Sequence, residues 1–68
     1  MKFTERQKHF LHEAIHSKLI KTESMVRYLE REINKENSIE MKNSYKSCIK
    51  YNEKEIEELK ELRSMLND

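Results

Sequence analysis

Apolar residues recur along the chain at steps of three and four, which places them on one side of an α-helix. A polar run over residues 34–38 separates two such stripes. The first stripe consists of Leu11, Ile15, Leu19, Val26, Leu29 and Ile33. The second consists of Met41, Tyr45, Cys48, Ile49, Asn52, Ile56, Leu59, Leu62 and Leu66. The spacing predicts two long amphipathic helices, over about residues 4–34 and 38–67, with a loop at about 35–38.

The two stripes do not continue one another as a single coiled coil. Along the first, His12, Thr22 and Ile33 fit the alternating steps of a coiled-coil seam. The heptad phase of the second stripe is offset by two residues from that of the first. We therefore predict an all-α fold, an antiparallel two-helix hairpin forming one domain over residues 1–68.

Residues with capping chemistry flank both predicted helices. Thr4 and Gln7 have the spacing of a capping box, in which each side chain bonds the other's backbone N–H. Asn34 can end the first helix in the left-handed conformation that Gly more often takes. Asn37 is the predicted N-cap of the second helix, with Ser38 as the alternative. The chain contains no Gly and no Pro, which favours long uninterrupted helices.

Charge placement predicts the register of the hairpin, with facing residue numbers adding up to about 73. Exposed ion pairs contribute little individually, but together they favour one register. The predicted facing sets are Lys42 with Glu30 or Glu32, Lys50 with Glu23, Glu53 and Glu55 with Lys18 and Lys21, and Glu58 and Glu61 with His12 and His16.

The composition predicts that this hairpin needs a partner. In 68 residues, 40% are charged and 35% hydrophobic, so little surface is available to form a core. Cys48 is the only cysteine, which excludes an internal disulfide. The chain also has more apolar positions than two helices can cover, which predicts a homodimeric four-helix bundle or association with another protein. The expected partner-binding residues are Phe10, Met25, Tyr28, Tyr51 and Met65.

Three histidines within eight residues are the most metal-like constellation in the chain. His9, His12 and His16 lie on one side of the first helix, with Glu13 among them. The alternative is a polar flank that meets glutamates of the second helix, and we favour it because no zinc-binding spacing occurs. We therefore predict no metal and no cofactor.

Two further residues on the second stripe have structural interpretations. Cys48 is expected to be a buried small hydrophobe, since nothing nearby would stabilise a thiolate or act as its base. Asn52 is a polar residue in an otherwise apolar seam, and such residues often determine the register or the oligomeric state of a coiled coil. Thr22 on the first helix is expected to have a weaker effect of the same kind. Without glycine no Gly-rich phosphate-binding loop can form, and we predict a non-enzymatic protein.

A row of lysines supports a different function. Lys42, Lys46, Lys50 and Lys54 recur every four residues, with Tyr45 and Tyr51 nearby. They form the one patch in the sequence that is suited to phosphates. The alternative is a solvated face that neutralises glutamates of the first helix. The formal net charge of +1 favours this alternative.

The first half of the chain resembles the small AbbA antirepressors of bacilli. The resemblance lies in Phe3-Thr4-Glu5, in Gln7-Lys8 with Leu11, and in Glu32-Ile33-Asn34 at the end of the helix. It implies a short helical dimer that binds a transition-state regulator and blocks its DNA-binding surface. No individual binding residue carries over.

The leading hypothesis is a phage or bacterial regulatory protein that binds and blocks a target protein through helix–helix contacts. Nucleic-acid binding by the lysine row is the alternative, and a small assembly subunit is a third possibility. No apolar run is long enough to span a membrane, and the lone cysteine without an export signal predicts a cytoplasmic protein.

Overall fold

The structure, a computed structural model, describes residues 2–67 and consists of two antiparallel helices. Helix α1 spans Glu5–Lys35 and helix α2 spans Ile39–Asn67. The two helices pack against each other along their length, and residues 2–67 contain no strand. The predicted all-α hairpin is therefore confirmed. The first and last residues of the predicted domain lie outside the described residues.

A capping box begins α1, as the sequence predicts. The backbone N–H of Gln7 donates to Oγ1 of Thr4 at 3.1 Å, and the backbone N–H of Thr4 donates to Oε1 of Gln7 at 2.9 Å. The first turn also contains Glu5, whose negative charge suits the positive end of the helix dipole.

The end of α1 differs from the prediction. Asn34 lies inside the helix, and no residue of 2–67 has a positive φ, so the predicted left-handed termination is wrong. The helix ends at Glu36, which turns to extended backbone at φ −84° and ψ 136° while its N–H still donates to the carbonyl of Glu32 at 3.0 Å. An extended residue lets the chain leave the helix without the steric cost of a left-handed conformation.

Glu36 also prepares the start of α2. Its Oε1 accepts from the backbone N–H groups of Asn37 at 3.1 Å and Ser38 at 3.0 Å. Ser38, not Asn37, caps the helix, because its Oγ accepts from the N–H of Met41 at 3.4 Å. The connection therefore needs no glycine: one carboxylate binds the free amides of the loop.

The core is small and belongs mostly to α1. Ile15, Leu19 and Leu29 are buried, together with Thr22, whereas no residue of α2 is. Cys48 is exposed, so its predicted burial is wrong. The second stripe is wider than the contact with α1, and Cys48 falls on its flank.

An ion pair between the helices confirms the central part of the predicted register. Lys18 Nζ lies 3.2 Å from Glu55 Oε1. At the open end of the hairpin, Leu11 and Leu62 line the same cleft, in the same register. Within residues 2–67 this is the one ion pair that joins the helices, so the other predicted facing charges do not form pairs closer than 4 Å.

The two polar side chains of the seam each form a hydrogen bond to a backbone carbonyl of their own helix. The hydroxyl of Thr22 donates to the carbonyl of Lys18 at 2.8 Å, and the amide nitrogen of Asn52 donates to the carbonyl of Cys48 at 2.7 Å. Neither side chain bonds to the opposite helix among the described residues. Both groups therefore lie in the interface without a buried unsatisfied atom.

The molecule is a thin slab. Its extents are 51 × 16 × 11 Å, and its radius of gyration of 15.7 Å exceeds the roughly 11 Å of a compact domain of this length. The accessible surface is 5793 Å², against about 4600 Å² for a typical folded monomer of this mass. Neither helix has the length and apolarity needed to cross a bilayer, judged over the described residues.

Candidate functional site

The residues of one broad face of the hairpin can be identified by counting seven residues in each direction from Lys18 and Glu55, which form the ion pair between the helices. One heptad before Lys18 and one after Glu55 are Leu11 and Leu62, which line a common cleft. The same step in the other direction gives Met25 and Cys48, and a further step gives Glu32 and Met41. Residues three positions further along each helix border these rows. We call this surface the Lys18–Glu55 face; it comprises Leu11, Ala14, Lys18, Lys21, Met25, Tyr28 and Glu32 of α1 and Met41, Ser44, Cys48, Tyr51, Glu55, Glu58, Leu62 and Met65 of α2.

The exposed apolar side chains concentrate on this face. It holds six of the ten large apolar side chains exposed within residues 2–67. Four of the five predicted partner-binding residues are among them: Met25 is 47% exposed, Tyr28 49%, Tyr51 72% and Met65 68%. Leu62 and Met41, which the sequence assigns to the second stripe, are the other two. Most of the exposed apolar surface of the two helices therefore lies on this one face, on either side of the charged residues at its centre.

Phe10, the fifth predicted residue, lies apart from this patch. The Cζ atom of Arg6 lies 5.5 Å from its ring centroid, and the ring of His9 is a tilted neighbour at 6.4 Å. Phe10 falls outside the seven-residue rows that define the face, at the heptad position on the side of α1 away from α2. A cation over the ring already covers part of its surface. The structure does not bring Phe10 together with the other four.

At the open end of the hairpin the face becomes a concave cleft of about 600 Å³. Phe3 and Met65 are among the apolar side chains that line it, while Lys2 and Lys8 contribute the positive charges. The sequence predicts a partner contact for Met65 but not for Phe3. Phe3 directly precedes the capping box, and because an apolar residue at that position often packs back onto the helix, this position could have indicated that Phe3 lines the cleft. The apolar lining suits an aliphatic or aromatic side chain. The lining residues are Lys2, Phe3, Lys8, Leu11, Ile15, Leu62, Met65 and Leu66.

The opposite face of the hairpin is polar and mixed in charge. A shallow groove there has Val26 and Ile56 along the seam and is bordered by two carboxylates and two cations. The bordering residues are Glu23, Arg27, Glu53 and Lys60. Because acidic and basic groups alternate, this groove presents no uniform positive field to a phosphate.

The four lysines of the predicted row wind from the seam towards this polar face. Lys42 is partly buried, whereas Lys46, Lys50 and Lys54 are exposed. A step of four residues turns the helix by slightly more than a full turn, so the row rotates around α2 instead of forming a flat strip. The structure therefore spreads these lysines over more than one surface.

The three histidines do not form a metal centre in the described structure. His9 Nε2 pairs with Glu13 Oε1 at 3.1 Å, while His12 is partly buried and His16 is exposed. No group of three or more metal-ligating side chains comes together within residues 2–67. The predicted contacts of His12 and His16 with Glu58 and Glu61 are not ion pairs there.

The phenol of Tyr45 lies close to two carboxylates. It lies at the loop end of the seam, near Tyr28 of α1. Partial burial raises the pKa of its phenol, and the carboxylates of Glu36 and Glu32 raise that pKa further. The sequence assigns Tyr45 to the apolar stripe but cannot show that two carboxylates approach it, since one comes from the loop.

Comparison of this chain with family models, curated proteins and solved structures gives no match. The candidate site is therefore defined by its own geometry: an apolar face with a cleft at one end and an ion pair at its centre.

Proposed function

We propose that this chain is a non-enzymatic regulatory protein that binds and blocks a target protein by packing its Lys18–Glu55 face against helices of that target. The observation that carries the proposal is the concentration of exposed apolar side chains on one face of a hairpin with a small core. Exposed patches of this kind in small proteins commonly mark interaction surfaces.

The chemistry of the face suits helix–helix contacts. Met25 and Met65 are flexible apolar side chains that adapt to irregular surfaces. Tyr28 and Tyr51 combine a large ring with a hydroxyl, as residues that dominate binding energy often do. The rows repeat every seven residues along both helices, so an added helix can pack between them with bundle geometry.

A capture experiment with matched variants tests this proposal. Tyr51→Glu places a charge on the Lys18–Glu55 face, whereas Lys50→Glu introduces the same side chain one residue away, about 100° around α2 and outside the rows that form the face. We expect immobilised wild type and Lys50→Glu to retain the same protein from the native host, and Tyr51→Glu to lose it. Titration of the purified target should then show at least a tenfold weaker Kd, about 1.4 kcal/mol, for Tyr51→Glu. Equal retention by all three baits, or by none, would contradict the proposal.

The lysine row supports a competing function in nucleic-acid binding. It predicts salt-dependent binding to DNA or RNA that weakens when Lys46 and Lys50 become Glu. The mixed charge around Glu23, Arg27 and Glu53 is unfavourable for such a site. Absence of binding to either nucleic acid at low salt would rule this function out.

A further inference from the structure

The Lys18–Glu55 face has the area that a standard protein interface needs. The slab measures 51 by 16 Å, so each broad face covers roughly the 800 Å² that one partner contributes to a stable complex. The chain also exposes roughly 1200 Å² more surface than a compact monomer of its mass. An occupant of similar size and shape would cover that excess.

The charges of this face are self-complementary. Near its centre α1 presents two lysines, Lys18 and Lys21, and α2 presents two glutamates, Glu55 and Glu58. The ion pair between Lys18 and Glu55 shows that these two groups lie at the same level of the hairpin. If α2 of a second copy packs over α1 of the first, the two glutamates of one copy lie over the two lysines of the other. The twofold axis repeats this contact, so it occurs twice in the dimer.

Only one of the two twofold arrangements makes that match. With the axis parallel to the helices, each α1 lies over the other copy's α2 and both loops lie at the same end. With the axis across the helices, α1 lies over α1, so Lys18 and Lys21 approach their own copies and the glutamates do likewise. Like charges brought together in this way oppose association.

The cleft at the open end favours the same arrangement. With the axis parallel to the helices the two clefts meet, and Leu11 lies over the second copy's Leu62. With the axis across them, each cleft meets the loop end of the other copy, where Lys35 Nζ lies 3.9 Å from Glu32 Oε1. Covering this ion pair with an apolar cleft would cost desolvation energy that the first arrangement avoids.

From these features we propose that, in the absence of a target, the Lys18–Glu55 face binds the same face of a second copy of this chain. The two copies form a four-helix bundle whose twofold axis is parallel to the helices. The inference rests on the proposed function in that it assigns a partner to the same face. A target protein then competes with the second copy for that surface.

Two variants of nearly equal exposure test whether this face forms the dimer. Met25, on the face, is 47% exposed, and Ile20, on the opposite side of the same helix, is 51% exposed. We expect Met25→Glu to raise the dimer Kd at least tenfold in sedimentation equilibrium, and Ile20→Glu to leave it nearly unchanged. Circular dichroism at high protein concentration checks that both remain helical. A larger effect of Ile20→Glu would overturn the assignment of the face.

Spin labels at the loop test the arrangement. In a Cys48→Ser background, Asn37→Cys provides one label per chain, and the dimer Kd of this background is measured first. We expect a label separation below roughly 30 Å, since the loops lie about two helix diameters apart. A separation near the 51 Å length of the hairpin would overturn the parallel axis. A chain that stays monomeric at millimolar concentration would overturn the dimer, while capture of a target by the same face would still support the proposed function.

Discussion

At the scale of single residues, hydrogen-bonding side chains define where each helix begins and ends. Thr4 and Gln7 bond reciprocally at the start of α1, and Glu36 binds the amides that lead into α2. In a protein with few buried residues such local bonds account for a larger share of stability than in a large domain.

Removal of the Thr4 hydroxyl should destabilise the protein measurably. We expect Thr4→Ala to lower the free energy of unfolding by about 1 kcal/mol, because the N–H of Gln7 loses its acceptor. Urea unfolding at a fixed chain concentration measures this loss. Ser17→Ala, at an exposed site inside α1, is the control and should change stability by less than about 0.5 kcal/mol. Equal losses for the two variants would show that the capping box contributes nothing.

The raised pKa of Tyr45 should make stability fall in alkaline solution. The folded protein holds the phenolic proton more tightly than the unfolded chain, so the contribution is fully present below the ordinary pKa of 10.0 and is lost as pH rises through the higher folded pKa. We expect Tyr45→Phe to reduce the decline in the free energy of unfolding above about pH 10. Tyr51→Phe, which removes an exposed hydroxyl, should leave the decline due to Tyr45 in place. Parallel pH profiles of wild type and Tyr45→Phe would contradict this.

At the scale of the helices, the seam between α1 and α2 contains a polar layer near its middle. Thr22 is buried and Asn52 partly buried, yet each donates to a carbonyl of its own helix. Such a side chain can occupy the seam without a partner on the other helix. The structure therefore offers no direct bond by which Asn52 would specify the register.

Replacing Asn52 tests whether it has a role in specificity. Because its amide bonds within α2, we expect Asn52→Leu to raise the melting temperature without changing the number of chains in the assembly. Light scattering coupled to size-exclusion chromatography measures that number. Thr22→Val, an isosteric change in the same layer, is the companion variant. A shift to larger assemblies in Asn52→Leu would instead establish the residue as an oligomer-state device.

Some features of this fold could be predicted from the sequence because they depend on short-range spacing. The capping box at Thr4 involves residues three apart, and the pairing of Lys18 with Glu55 follows from complementary charges on two regular helices. The end of α1 could not be predicted in this way. Asn34 can adopt a left-handed conformation, but Glu36 makes it unnecessary by binding the loop amides.

The candidate site was only partly predictable for a related reason. Cys48, Met41 and Leu62 all occur at the same heptad position as Glu55, beside the seam. The sequence places all three on the second apolar stripe and predicts burial for Cys48. A stripe that is wider than one helix contact does not reveal which of its edges faces the neighbouring helix. The ion pair between Lys18 and Glu55 identifies that edge as the exposed one.

At the scale of the whole molecule, the hairpin is a slab with two unlike faces. One is apolar around a central ion pair, and the other mixes carboxylates with cations. Among residues 2–67, three apolar side chains, Ile15, Leu19 and Leu29, are buried between the helices. Stability of the folded state should therefore depend strongly on what covers the apolar face.

This dependence predicts melting that varies with concentration. If the folded form is a dimer, a hundredfold increase in chain concentration should raise Tm by about 5–10 °C, because association favours the folded state. Circular dichroism melts across that range measure the shift. Met25→Glu should flatten the dependence, whereas Ile20→Glu should retain it. A Tm independent of concentration would show that the hairpin melts as a monomer.

The two ends of the hairpin differ, because the cleft lies at one and the loop at the other. Phe3 and Leu66 line the same cleft, while the loop at residues 36–38 lies at the far end of a body 51 Å long. An affinity tag or reporter fused before Phe3 or after Leu66 would therefore crowd the cleft, and in the proposed bundle the two fusions of a singly tagged dimer would gather at one tip. Attachment at the loop leaves that tip open, so immobilisation through Asn37 should preserve binding that terminal tethering weakens.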